Sequence, residues 1–168
     1  NWLPFIRNAV GPMDFTPGSM FSAQPEDNRS TGANPMGTGT RAYQMALYVV
    51  FESPLQMLAD NPVLYRREHP CTEFLAAVPT TWDSLRREVV VARRKGDKWY
   101  VGGITNDRPY TTEIALDFLP AGRTFTMTSF EDGVNADLQA TDYRKRVREV
   151  DASTVVKVEM VRNGGWAA

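Results

Sequence analysis

The sequence predicts an α+β chain in which an irregular, then helical first part leads into an antiparallel β-sandwich. Three observations carry this expectation. Prolines and glycines crowd residues 1–39, the stretch Thr40–Glu52 is apolar at helical spacing, and from Thr80 onward the apolar period changes to two.

Leu3–Val10 reads as a short buried strand, because apolar residues outnumber polar ones without clean alternation. Gly11–Gly39 reads as a long loop anchored by Phe15, Met20 and Phe21, of a length usually functional or inserted. The helix Thr40–Glu52 places Ala42, Met45, Ala46, Val49 and Val50 on one face. Leu47, Tyr48 and Phe51 make it apolar nearly all round, so it needs neighbours on most sides. Pro54 forces a break. A second short helix is expected over Ser53–Asp60, with Ser53 as N-cap and Gln56 completing a capping box, and a third over Cys71–Ala77 between Pro70 and Pro79.

Strands are expected at Val89–Arg93 and Lys98–Gly102, joined by the Lys95-Gly96-Asp97 hairpin signal, and where Thr112, Ile114, Leu116 and Phe118 alternate with polar residues. Further strands follow over Thr124–Thr128, Val147–Val150 and Thr154–Val161, the last with Val156, Val158 and Met160 on one face. Several short strands with turn signals between them indicate a sandwich or barrel-like sheet.

Composition excludes several classes. Nineteen basic and twenty acidic residues leave a net charge of −1, so no global field recruits nucleic acid or an anionic membrane. The longest apolar run, Ala46–Phe51, falls far short of the ~20 residues that a membrane-spanning helix needs. One cysteine (Cys71) and one histidine (His69) make neither a disulfide nor a metal cage. The chain opens at Asn1 with no initiator methionine and no signal peptide, and is expected to be a piece of a longer protein.

The catalytic inventory is thin, and carboxylates are its main members. Asp14 lies just past the expected strand in an otherwise uncharged Gly-Pro-Met-Asp-Phe-Thr-Pro-Gly run. It is read either as a wall of a substrate pocket or as an Asx-turn to the Thr16 amide. Glu52 faces a cleft or ends an exposed helix. Arg93-Arg94-Lys95 and Arg144-Lys145-Arg146, interspersed with Glu88, Asp97, Asp142 and Glu149, read as solvated strand edges that block aggregation. Trp82, Trp99, Tyr100 and Trp166 form either a sugar-stacking platform or core. Gly102-Gly103 within a strand marks a bulge or a close backbone approach.

Longer signals carry a resemblance. Leu3-Pro-Phe-Ile-Arg-Asn-Ala-Val-Gly-Pro-Met-Asp-Phe-Thr-Pro-Gly18, the run Thr40–Asp60, Phe74–Asp83, Val89–Asn106, Phe130–Asp137 and the tail Gly164-Gly-Trp-Ala-Ala168 resemble, in matching order, the C-terminal portion of glycoside hydrolase family 97. The chain departs from that pattern at Ile6, where Thr is usual, in the variable loop Ser19–Gly39, and in a short segment at 83–88. The resemblance implies that residues 1–78 are the last strand, loop and helices of a (β/α)8 catalytic barrel. Residues 79–168 would be a C-terminal antiparallel β-sandwich with a possible role in oligomerisation. It also implies a parent α-glucosidase or α-galactosidase, periplasmic or secreted, acting on α-linked oligosaccharides. The carboxylate pair and calcium ligands of that parent would lie upstream of Asn1, leaving Asp14 as the substrate-pocket candidate here. The rival expectation is a stand-alone β-sandwich module for interaction or carbohydrate binding. A lone barrel end cannot bury the apolar surface of residues 42–58, so residues 1–78 are expected to fold back on the sandwich or associate with other chains.

Overall fold

The computed structural model describes residues 3–87 and 90–168. Leu3–Val10 is a helix, α1, and the strand expected there does not form. A strand needs neighbours for its N–H and C=O groups, and none of the described strands pairs with this segment, whereas a helix satisfies most of these groups internally. The Asn8 side chain fastens α1 by donating to the Glu52 carbonyl at 3.3 Å and accepting from the Glu52 N–H at 2.7 Å. Phe5 packs edge-on against Phe51.

The loop that follows is long, as expected, and contains only the two-residue parallel pair β1 (Ser22–Ala23) and β2 (Gly37–Thr38). Of its three apolar anchors, Met20 is buried and Phe15 stands edge-on to Phe51, but Phe21 is exposed.

Helix α2 (Arg41–Val50) is buried on nearly every side. Thr40 caps its start, accepting the Tyr43 N–H at 3.0 Å. A helix end leaves four orphan carbonyls, and here each has a donor. The Phe51 N–H reaches Leu47, the Gln56 amide reaches Tyr48 at 3.1 Å, and the Arg93 guanidinium reaches Val49 and Val50 at 2.6 and 3.3 Å. This demand explains why the helix expected over Ser53–Asp60 is absent. Gln56 turns back to α2 instead of completing a capping box, and the Ser53 hydroxyl donates to the Leu55 carbonyl instead of accepting from an amide. Two short helices follow, α3 (Pro62–Arg67) and α4 (His69–Ala77). The first was not foreseen, although Asn61 as N-cap before Pro62 is a regular helix opening.

The remaining chain supplies β3 (Ser84–Arg87), β4 (Val91–Lys95), β5 (Lys98–Ile104), β6 (Tyr110–Ala115), β7 (Phe125–Asp132), β8 (Tyr143–Val150), β9 (Val155–Met160) and β10 (Gly165–Ala167). Six of them form an antiparallel sheet in the order β3-β4-β5-β10-β7-β8, and β6 pairs with β9 as a separate ribbon. The β4–β5 hairpin closes where expected, with Lys95 opposite Lys98 and Gly96 at φ +58°. Strands β3 and β10 were not foreseen. Glu88 and the expected strand start at Val89 lie outside the described residues.

Period-two alternation assigns each strand's side chains to two cores. On one face Tyr100, Phe130 and Ala167 meet Met45, Ala46 and Val49 of α2 and Cys71 and Leu75 of α4. On the other, Ala92, Val101 and Trp166 meet Ile114, Val156 and Val158 of the ribbon. Residues before 79 and after 79 therefore share a core, because the apolar helix α2 lies directly on the sheet. Gly102 permits that approach, since a Cβ there would stand 3.0 Å from Val49 Cβ and 3.1 Å from the Ala46 carbonyl oxygen. Edge strand β8 carries Arg144, Lys145 and Arg146 exposed, as expected, but Arg93 of the other basic run is buried against the end of α2.

Candidate functional site

The most organised polar cluster joins three segments distant in sequence. The Thr40 hydroxyl donates to Asp132 Oδ1 at 2.6 Å, while Asp132 Oδ2 accepts the Val161 N–H at 3.0 Å and the Gly165 N–H at 3.2 Å. Asp132 sits at the end of β7, where the strand's register brings it against the N-terminus of α2. Burial pushes its carboxyl up to about 6, with the Thr40, Val161 and Gly165 hydrogen bonds opposing that rise. In sequence, Asp132 was only part of a turn signal.

Asp14 is exposed, between two anchored neighbours. The Met13 N–H donates to the Glu52 carbonyl, and Phe15 bridges to Gln56. The segment 13–15 thus lies along residues 52–56 and presents the Asp14 carboxylate outward. Glu52 lies 3.6 Å from Arg93 Nη1, half-exposed, so its carboxylate faces a buried guanidinium rather than open solvent alone. The structure does not bring Asp14 and Glu52 into one hydrogen-bonded group; each belongs to its own local arrangement.

Other carboxylates organise the loop. Asp60 Oδ2 accepts the Ser19 hydroxyl and the Met20 and Phe21 N–H groups. Glu68 pairs with Arg41 at 2.9 Å, and Arg41 in turn donates to the Met20 carbonyl. These are holding contacts for residues 17–24, and the sequence gave no local sign of them because their partners lie 21 to 41 residues away.

Cys71 is buried, and burial pushes its thiol up to about 11, which leaves almost no thiolate for nucleophilic work at neutral pH. His69 is exposed beside Glu73. Among the described residues, no group of three or more His, Cys, Asp or Glu side chains could hold a metal ion. The aromatic candidates are mainly packing elements. Trp166 and Tyr100 are buried, Trp82 stands edge-on to Tyr100, and Trp99 packs against Phe118 at 4.9 Å.

Comparison with known proteins agrees with this architecture. Residues 84–168, half of the chain, match the family described as "Glycosyl-hydrolase 97 C-terminal, oligomerisation". A retaining alpha-galactosidase of Bacteroides thetaiotaomicron is 42% identical over 98% of the chain, and a probable retaining alpha-galactosidase of Streptomyces bingchenggensis is 31% identical over 99%. The chain spans 26% and 24% of their lengths. A family 97 enzyme from Pseudoalteromonas sp. strain K8, solved as its E480Q variant with panose, superposes with a TM-score of 0.80 at 34% identity. That match covers 96% of this chain and 26% of that one. A match of the family pattern over half the chain, and of the fold over almost all of it, establishes that the chain belongs to glycoside hydrolase family 97 and represents its C-terminal portion.

Proposed function

We propose that this chain is the C-terminal quarter of a retaining exo-α-glycosidase, most of whose catalytic machinery lies in the rest of the protein. The observation that carries this reading is the 42% identity to a retaining alpha-galactosidase along 98% of the chain. A second observation supports it: α1 and the neighbouring segment expose Leu3, Ile6, Val10, Leu55 and Leu58, apolar surface suited to packing against further structure. Residues 1–78 then belong to the end of the (β/α)8 barrel, and residues 79–168 form the C-terminal β-sandwich, where contacts between subunits of an oligomer are made.

In a retaining enzyme one carboxylic acid protonates the leaving oxygen and a carboxylate about 5 Å away attacks the anomeric carbon. The carboxylates described here have other partners: Asp132 binds Thr40, Asp60 binds the 19–21 segment, and Glu52 faces Arg93. The pair therefore belongs to the remainder of the protein, and so do the ligands of any calcium ion, since the described residues offer no fitting cluster. Asp14 contributes an acceptor at the pocket rim for a sugar hydroxyl.

The test is hydrolysis by the full-length protein of nitrophenyl α-galactoside and α-glucoside with calcium present. Turnover of the galactoside, with none by the isolated 168 residues, is expected. Turnover of neither by the full-length protein rejects the proposal. Preference for the glucoside favours the second reading, an α-glucosidase, which is motivated by the Pseudoalteromonas enzymes solved with panose and acarbose.

A further inference from the structure

Strand β10 has three residues, but the strands on either side, β5 and β7, have seven and eight. It pairs with Ile104–Gly102 on one side and with Glu131 and Phe130 on the other. Ala168 then exchanges both backbone hydrogen bonds with Val101 at 2.8 Å. Past that point Lys98–Tyr100 of β5 and Phe125–Thr128 of β7 line opposite walls of a groove of about 340 Å³.

Those walls are strand edges in register with each other. In an antiparallel ladder, alternate residues direct both N–H and C=O toward the same neighbour. Val101 is bonded to Ala168, so Trp99, two residues earlier, directs its backbone groups into the groove. Ala168 uses its groups toward β5, so Ala167 uses its own toward Phe130, and Thr128 and Thr126 face the groove from the other wall. The side chains are just as ordered. Trp99 and Met127 point to the ribbon side with Phe118, and Tyr100 points to the α4 side with Phe74.

A small apolar ligand would cover the rings but leave the alternating donors and acceptors of both walls unpaired. An extended peptide satisfies both. The exposed Asp97–Arg123 pair, 3.6 Å apart, joins the two walls beyond the groove's far end. The walls offer three residues of β5 beyond Val101, so about three residues at roughly 3.4 Å each would fill the groove.

We propose that this groove is a strand slot, filled in the complete enzyme by an extended segment of the enzyme's own polypeptide that runs on from β10. That segment is antiparallel to both walls and places an apolar side chain between Trp99 and Met127. Direction and register select this occupant. A strand continuous with Ala168 carries its ladder through unbroken, whereas a strand from a second copy would have to end abruptly against Ala168. The inference rests on the reading of this chain as part of a larger glycosidase.

Hydrogen exchange of the full-length protein, read by mass spectrometry with residue-level fragmentation, tests it. The amides of Trp99, Thr126 and Thr128 are expected to exchange at least tenfold more slowly than those of the exposed turn at Asp107, and their protection is expected to survive hundredfold dilution. Exchange at the rate of the Asp107 turn would mean that no strand occupies the slot. Protection that disappears on dilution would assign the occupant to a second copy and overturn the proposal. Glycosidase activity measured on the same sample reports separately on the functional reading, because loss of that reading leaves the exchange pattern interpretable.

Discussion

Thr40 and Asp132 are 92 residues apart in sequence, and the hydroxyl of one donates to the carboxylate of the other at 2.6 Å. The same hydroxyl accepts the Tyr43 N–H, so one side chain both starts α2 and joins it to the end of β7. Thr40→Ala removes a cap and leaves a buried carboxylate short of a donor, at an expected cost of about 2–3 kcal/mol in urea unfolding. Thr40→Ser retains both bonds and is expected to recover most of that loss. Equal destabilisation by Ala and Ser would show that the methyl group, not the hydroxyl, matters.

Asp132 makes stability depend on pH. Its carboxyl is raised from 3.8 to about 6 in the folded chain, so between those values the folded state holds a proton that the unfolded state has released. Its contribution is therefore full below about pH 4 and is lost as pH rises through about 6. The stability of the natural chain relative to Asp132→Asn should fall by on the order of 2–3 kcal/mol from pH 4 to pH 7. A difference that stays constant with pH contradicts the assignment.

Arg93 and Glu52 are unequal partners. The guanidinium is 1% exposed and supplies two carbonyls at the end of α2, whereas Glu52 is half-exposed at 3.6 Å. Arg93→Met should cost about 2–4 kcal/mol because those carbonyls lose their donor, and Glu52→Gln less than about 1 kcal/mol. Thermal denaturation of both variants gives the ranking; the reverse order would refute it.

Gly102→Ala should destabilise by about 1–3 kcal/mol, because the new methyl group meets Val49 Cβ and the Ala46 carbonyl at the α2–β5 contact. Gly11, with nothing within 4 Å of an added Cβ, is the control, and Gly11→Ala should leave the unfolding midpoint nearly unchanged.

Asp14→Asn in the full-length protein should lower kcat/KM about tenfold, the effect of losing about 1.4 kcal/mol of transition-state contact, while the melting temperature stays the same. The exposed position of Asp14 separates these two readouts. Unchanged kinetics would remove it from the pocket.

The sequence by itself determined the elements whose signal is local and long. Alternation of Ile114 with polar neighbours and of Val156, Val158 and Met160 placed β6 and β9, the Gly96 turn placed the β4–β5 hairpin, and the all-round apolar run after Thr40 placed a buried helix. The family was legible in the same way, from extended runs such as Thr40–Asp60 rather than from any catalytic motif. Tertiary structure alone decided the rest. Leu3–Val10 has a composition suited to a buried strand or an apolar helix, and the availability of pairing neighbours settles which one forms. Ser53 and Gln56 match a capping box, yet the unpaired carbonyls at the end of α2 claim Gln56. Arg93 resembles a solvated edge residue until α2 is laid across its strand, and Asp132 resembles a turn residue until β7 delivers it to Thr40. Each of these depends on a hydrogen-bond donor or acceptor supplied from far along the chain, and local periodicity carries no information about where that partner will be.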